Sequence, residues 1–342
     1  MISDFIMPTE KNISLRSFNS FHFEVMASAF ISVKSVGELQ ELLTTDNNES
    51  MLILGCGSNI LLIHKIIERV LKIDIKGIEE VKEEASHIYV KAGAGENWSD
   101  FVQYTLSRNW GGLENLSLIP GNVGAAPIQN IGAYGVELKD IFFELEAFDR
   151  VDKKVFAFGV NDCKFGYRDS VFKSERKGRY IILNVTLRLN KTPLLKSNYG
   201  AIRDELNKMN VKTPTIHDIS RAVIAIRRSK LPDPKDIGNA GSFFKNPVVD
   251  QVKFLSLSKK YPDIPAYPHE DQSVKLAAGW LIEQCGWKGY RKGDAGVHTN
   301  QALVLVNYGN ASGLEILELS DKITASVLKK FAVQLEKEVN II

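Results

Sequence analysis

The chain has 342 residues, of which 44% are hydrophobic and 25% charged, and its formal net charge is +2. That length exceeds what one hydrophobic core usually serves, so two or three packed domains are expected. So even a mixture of signs excludes a protein that binds nucleic acid or a membrane surface through bulk charge, and any anionic ligand has to be held by local groups.

Cys56, Cys163 and Cys285 are odd in number and far apart, which argues against a disulfide framework and for a reducing compartment. The six histidines never form an i, i+4 pair, so no metal site is expected. The stretch from Met1 to Pro8 lacks a basic region followed by a long apolar run, and no segment reaches membrane-spanning length. A cytoplasmic protein is the expectation.

In chain order, a strand opens near Phe30, a helix follows over 36–43, and a short apolar strand from Met51 to Leu54 runs into Gly55, Cys56, Gly57, Ser58 and Asn59. Another strand, 70–75, comes so soon that a crossover helix, which takes about a dozen residues, barely fits; a dinucleotide-binding strand–helix–strand unit is disfavoured. From Ile88 the pattern is strand, glycine loop, then an amphipathic helix with Trp98, Phe101, Val102 and Thr105 on one side. The loop from Ser117 to Gly135 has too many glycines and prolines for a long helix and is too apolar to be disordered. Alternating segments at 144–148, 155–158 and 179–189 predict an antiparallel meander. A polar, turn-rich bridge over 190–214 leads to a helix from Thr215, a capping residue, to Arg228. Beyond it, helices over 275–285 and 314–335 and a strand over 302–306 complete an α+β domain.

Four segments carry candidate chemistry. Glycines in 55–59 let backbone N–H groups crowd around phosphate oxygens, although the third glycine of the dinucleotide fingerprint is missing; a tight turn between buried strands is the other reading. The small residues of 120–135 suit a flat aromatic ring that needs walls without bulk, or else a packed surface loop. Arg168, between Tyr167 and Asp169, either grips a carboxylate or sits in a surface charge cluster. Arg227 and Lys230 end a helix and precede a rigid stretch leading to Ser242, which suits a diphosphate, or merely complements the helix dipole. Ser242 lacks a nucleophile-elbow context, so acyl transfer has little support.

Taken with Ala92 to Trp98, Gly112 to Leu116, Ile119 to Gly135, Phe165 to Ser170, Lys230 to Pro234, Asn239 to Pro247, Ala277 to Ile282 and His298 to Leu305, these segments make the sequence resemble UDP-N-acetylenolpyruvoylglucosamine reductases of the longer type, from about Ser14 onward. The resemblance implies an α+β protein: a two-part FAD-binding domain of the vanillyl-alcohol-oxidase/PCMH type followed by an α+β substrate-binding domain. It implies an N-terminal extension (1–21), an FAD-binding domain (22–192, its two subdomains split near 77–87), a substrate-side insertion (193–213) and a substrate-binding domain (214–342). FAD is expected to bind non-covalently, with NADPH as co-substrate and a UDP-linked enolpyruvyl sugar as the molecule reduced, in a cytoplasmic monomer with no nucleic-acid or membrane partner.

Residue by residue, the resemblance implies that Arg168 and Glu338 polarise the substrate carboxylate and Ser242 donates a proton. Gly55, Cys56, Gly57, Ser58 and Asn59 would meet the FAD pyrophosphate. Pro120, Gly121, Gly124, Ala125, Ala126, Gln129, Asn130, Ile131 and Gly132 would meet the isoalloxazine, and Tyr167, Tyr199, Arg227, Lys230 and Asn246 the sugar nucleotide. Glu338 lies so near the end of the chain that fraying is expected there, and Glu336 competes for its role. Two rivals stand: a flavin oxidase of the same fold, and a UDP-sugar-binding module without turnover.

Overall fold

A computed structural model of the chain describes residues 8–45, 51–269 and 272–342; the stretch before Pro8 lies outside the described residues. The chain divides into two compact units, the first built from the described residues up to Ile13, Ala27–Cys56 and Ile67–Ser229, the second from Ser14–Met26, Gly57–Ile66 and Lys230–Ile342.

The first unit holds a four-stranded and a five-stranded sheet. One has strands in the order Glu10–Ser14, Met26–Val33, Ile66–Ile73 and Leu52–Leu54. Its last two strands are parallel neighbours, Leu52 opposite Val70 and Leu54 opposite Lys72. The sequence reading allowed too little chain for a crossover helix, and none is present: the connection passes through the two-residue strand Ile60–Leu61 instead, which pairs with Asn340–Ile341. The other sheet has the order Lys154–Gly159, Phe142–Asp149, Tyr180–Asn190, His87–Gly93, Ile78–Glu83 and is antiparallel, as the alternating segments predict. Ile31, Val33, Leu39 and Leu43 share a core with Leu71, Ile73, Phe148 and Ile181, so the helix Val36–Thr45 is covered by both sheets.

The helix Trp98–Ser107 starts where the Asn97 side chain accepts the Asp100 N–H, and it buries Trp98, Phe101, Val102, Thr105 and Leu106. Thr215 does begin the next predicted helix, Ile216–Lys230: its hydroxyl accepts the Asp218 N–H at 3.3 Å while Asp218 accepts the Thr215 N–H at 2.8 Å. The bridge over 190–214 is not all turn. Gly200–Lys208 is a helix that buries Ile202 and Leu206 against Ile219, Val223 and Ile226.

Asp149, fully buried at the end of its strand, is an ionic anchor of this unit. Burial pushes its carboxyl up, but the Arg179 guanidinium at 2.7 Å and the N–H groups of Asp152 and Val151 outweigh that and hold it at about 2. A depressed carboxylate contributes stability that is present above its unfolded value and lost as pH falls through the folded one, here from about 4 down to about 2. Asp149→Asn is expected to lower the unfolding free energy at pH 7 by on the order of 2 kcal/mol and to flatten that acid limb, as chemical denaturation across pH will read.

The second unit has a four-stranded sheet in the order Gly238–Ser242, Val304–Asn307, Ala295–Val297, Arg291–Lys292, a three-stranded sheet, and the helices Gln251–Lys260, Ala278–Gln284 and Gly313–Phe331. The helix predicted over 275–285 begins later, because Lys275 is taken into a strand opposite Val248 and Tyr267. Ser312 and Glu315 form a reciprocal cap on the long helix, which stops at Ala332 in the left-handed region rather than reaching 335. Among the described residues, no helix is long and apolar enough to cross a membrane.

Candidate functional site

In the first unit, the loop from Pro120 to Gly135 is two 3-10 turns and a tight hairpin laid on the glycine turn at 93–96. Val123 N–H donates to Glu96 and Gly124 N–H to Ala94, at 2.8 and 3.0 Å. A Cβ on Gly124 would lie 2.5 Å from the Ala94 Cβ, so only glycine allows this approach. The Asn122 carboxamide donates to the Gly95 carbonyl at 2.6 Å and to that of Glu96 at 3.3 Å. Its oxygen lies 3.1 Å from where a Gly55 Cβ would stand, which brings the two glycine-rich loops of the sequence side by side.

Asn130, in the left-handed region and fully buried, spends its whole side chain on protein: the amide donates to Glu137 and the Gly166 carbonyl, and the oxygen accepts the Lys139 N–H. Only its backbone is left for a cofactor. The Gly166–Asp169 turn is tied to the same loop, since Ser170 Oγ donates to the Ile128 carbonyl and Arg168 Nη2 to that of Gly132. Arg168, half-buried with positive φ, therefore points its guanidinium along the glycine loop, with the Tyr167 ring 5.4 Å away. The surface-cluster reading of Arg168 does not describe this geometry.

Arg227 reaches the same region from the helix Ile216–Lys230, its Nε donating to the carbonyl of Leu118, itself in the left-handed region. Among the described residues its two Nη groups have no protein acceptor. Burial lowers the pKa of this guanidinium, the Tyr134 phenol raises it, and the nearby Arg168 lowers it further. With its Nη groups open among the described residues, the Arg227 guanidinium suits an anion. Tyr134 stands edge-on to Tyr199 at 5.5 Å, and Asn115 donates to the carbonyls of both Tyr134 and Lys196, which fixes the segment leading to Tyr199. Sequence reasoning missed Tyr134 and Asn122; both lay inside the loop it singled out, among residues chosen for smallness.

In the second unit, Asn239 is opposite Val306 but Ser242 is opposite Val304, so the strand carries a bulge at 240–241. Gly241 takes φ +69 and donates to the Asn239 side chain at 2.9 Å. Such a bulge re-aims the next side chain. That side chain is Ser242, half-buried, whose hydroxyl has no hydrogen-bond partner among the described residues. Immediately after it, Phe243 accepts the Glu338 N–H at 2.8 Å and Lys245 donates its N–H to Glu336 at 2.9 Å, which lays the chain's end beside Ser242. The expected fraying is absent: Asn340 bonds twice to the Asn59 carbonyl, and Ile63 and Leu61 exchange bonds with Ile342. Glu336 is exposed and paired to Lys245 Nζ at 2.5 Å, whereas Glu338 is half-buried. Asn246 accepts the Ala278 N–H at the start of a helix through its side-chain oxygen, and Lys230 is exposed.

The segment 55–59 bears on whether a dinucleotide fits. Among the described residues, the backbone N–H groups of Cys56, Gly57 and Ser58 have no protein acceptor. Consecutive free N–H groups on a glycine turn suit phosphate oxygens, which favours the phosphate reading of this turn over that of a plain structural one.

Comparison with known families makes this chain an FAD-dependent oxidoreductase. Residues 27–156 match the FAD binding domain family and residues 233–342 the C-terminal domain of UDP-N-acetylenolpyruvoylglucosamine reductase. The chain is 50% identical over 98% of its length to the UDP-N-acetylenolpyruvoylglucosamine reductase of Flavobacterium johnsoniae and 51% identical over 98% to that of Amoebophilus asiaticus, in each case covering 100% of the relative. Its fold is similar to the crystal structure of the Thermus caldophilus enzyme, with a TM-score of 0.68 at 22% identity over 98% of this chain and 99% of that one. The chain belongs to the UDP-N-acetylenolpyruvoylglucosamine reductase family. The expected FAD-binding part followed by an α+β part is thereby established.

Proposed function

We propose that the chain reduces the enolpyruvyl ether of UDP-N-acetylglucosamine enolpyruvate to UDP-N-acetylmuramate with NADPH, as a monomer in a bacterial cytoplasm with no nucleic-acid or membrane partner. The observation that carries this reading is similarity to enzymes named for that substrate along nearly the whole chain. FAD would be held by the backbone N–H groups of 56–58 and the loop 120–132, and would supply the hydride that the methylene carbon of the substrate accepts.

The remaining work falls to side chains. Hydride arrival leaves negative charge on the carbon bearing the carboxylate, and that charge spreads onto the carboxylate oxygens. Arg168 binds those oxygens, so its attraction grows as the charge develops and favours the transition state over the ground state. Glu338 polarises the same carboxylate. Ser242 gives its proton to the carbon; a hydroxyl is a weak acid, but a strongly basic carbon accepts from it when geometry is fixed and water excluded. Arg227, Lys230, Tyr167, Tyr199 and Asn246 hold the sugar nucleotide.

Purified protein with a flavin absorption band should oxidise NADPH only when the enolpyruvyl sugar nucleotide is added. An FAD-replete sample that leaves NADPH untouched sinks the reading, and rapid oxygen consumption with a simple alcohol moves it to a flavin oxidase. The glutamates separate by mutation: Glu336→Gln, which removes only a surface pair, is expected to keep kcat within about twofold, while Glu338→Gln is expected to lower it by about 10²-fold or more. The reverse order in steady-state assays reassigns the role.

A further inference from the structure

Asn122 carries an unmet obligation. The residue is 8% exposed and its amide nitrogen is committed to the carbonyls of Gly95 and Glu96, while its oxygen is buried and has no partner among the described residues. Turning the carboxamide over offers no relief, because the oxygen would then face two carbonyl oxygens. A buried acceptor left unsatisfied costs about 1–3 kcal/mol, a cost that a donor brought to it would remove.

The surroundings narrow the choice of donor. The oxygen lies against Gly55, 3.1 Å from where a Cβ would be, so the residue beside it brings no side chain. The next residues along the chain, Cys56 to Ser58, present their free N–H groups. A carboxamide oxygen is useless to phosphate oxygens and to ring carbonyls, which are acceptors themselves; it needs an O–H or N–H. In FAD the donors that flank the pyrophosphate are the hydroxyls of the ribityl chain on one side and of the ribose on the other. The N–H groups at 56–58 take the phosphates, and the donor nearest to them is a sugar hydroxyl.

We propose that Asn122 is a cofactor-positioning residue: its side-chain oxygen accepts a hydrogen bond from a ribityl or ribose hydroxyl of FAD, while its nitrogen locks the 93–96 turn beneath the cofactor loop. Asn122 thus reads the polyol part of the cofactor, where the glycine loops read only phosphate and ring shape. The inference rests on FAD being the resident dinucleotide.

The test titrates apoprotein with FAD, following quenching of flavin fluorescence and the melting temperature of both forms. Asn122→Ala is expected to raise the FAD dissociation constant about tenfold, or about 1.4 kcal/mol, and to shrink the rise in melting temperature that FAD brings. A purely structural Asn122 would lower the melting temperatures of apo and FAD-bound forms equally and leave the dissociation constant within about twofold; that result overturns the proposal. Should the variant fail to fold, wild-type apoprotein is titrated with FAD analogues that each lack one ribityl or ribose hydroxyl. Loss of about tenfold for one analogue identifies the donor and its half of the cofactor, whereas equal binding of all analogues overturns the proposal. Wild-type apoprotein that takes up no FAD at all removes the flavoprotein reading and this assignment with it; tight wild-type binding with an unaffected variant removes only the assignment.

Discussion

Ser242→Ala is expected to be reduced by NADPH at close to the wild-type rate and then to be reoxidised by the enolpyruvyl sugar nucleotide about 10²- to 10⁴-fold more slowly. The two half-reactions differ in what they need. Accepting hydride from NADPH requires no proton at the substrate carbon; delivering it to the alkene creates a basic carbon that must be quenched. The structure supplies a reason to expect that the variant folds: the Ser242 hydroxyl has no protein partner among the described residues, so its loss leaves no buried group unpaired. Stability should change by no more than about 0.5 kcal/mol. The bulge that aims the side chain is set by Gly241 and Asn239, not by Ser242 itself, and survives the substitution. Stopped-flow absorbance of the flavin in anaerobic single turnovers separates the halves. Equal slowing of both contradicts the proton-donor role, and a wild-type second half removes it.

Much of this was legible in the sequence where side-chain type alone fixes local structure. Strand alternation at 144–148, 155–158 and 179–189 gave the meander, and a capping Thr215 ahead of Ile219, Val223 and Ile226 at helical spacing gave a helix start, because both depend on nearest neighbours. The helix at 200–208 was hidden by its polar face: Ile202 and Leu206 are at helical spacing, yet Asn198, Gly200 and Pro214 dominate a reading that weighs breakers first. What depends on distant chain was illegible. Leu52–Leu54 lies parallel to Ile66–Ile73 although no helix joins them, since the connection spends its length pairing with the chain's end instead. For the same reason the terminus is anchored, not frayed, and Glu338 is held by the carbonyl of Phe243, nearly 100 residues earlier. Arg168 read as a surface charge on composition; only the fold brings the Gly132 carbonyl to it.

Gly57→Ala is expected to be the most damaging single methyl in the molecule's candidate site, costing on the order of 3–5 kcal/mol and the ability to retain FAD. Two penalties coincide. Gly57 has φ +67, which costs an L-residue about 1–2 kcal/mol, and its added Cβ would stand 2.0 Å from the Phe18 carbonyl oxygen and 3.0 Å from the Asn19 Cα. Those are backbone atoms and they cannot yield. Asn19, 2% exposed, grips the carbonyls of Leu15 and Phe23 and accepts the Phe23 N–H, and Ser20 N–H donates to Gly57 itself. The turn at 55–59 would have to move, taking its free N–H groups out of place. Gly241→Ala is the control, since it has nearly the same backbone angle, φ +69, but meets nothing within 4 Å. It should cost only the conformational penalty of about 1–2 kcal/mol. Denaturant unfolding of the two apoproteins, together with the FAD content of each as purified, decides the matter: if Gly57→Ala is as mild as Gly241→Ala and stays yellow, the turn is not the rigid cradle that its contacts describe.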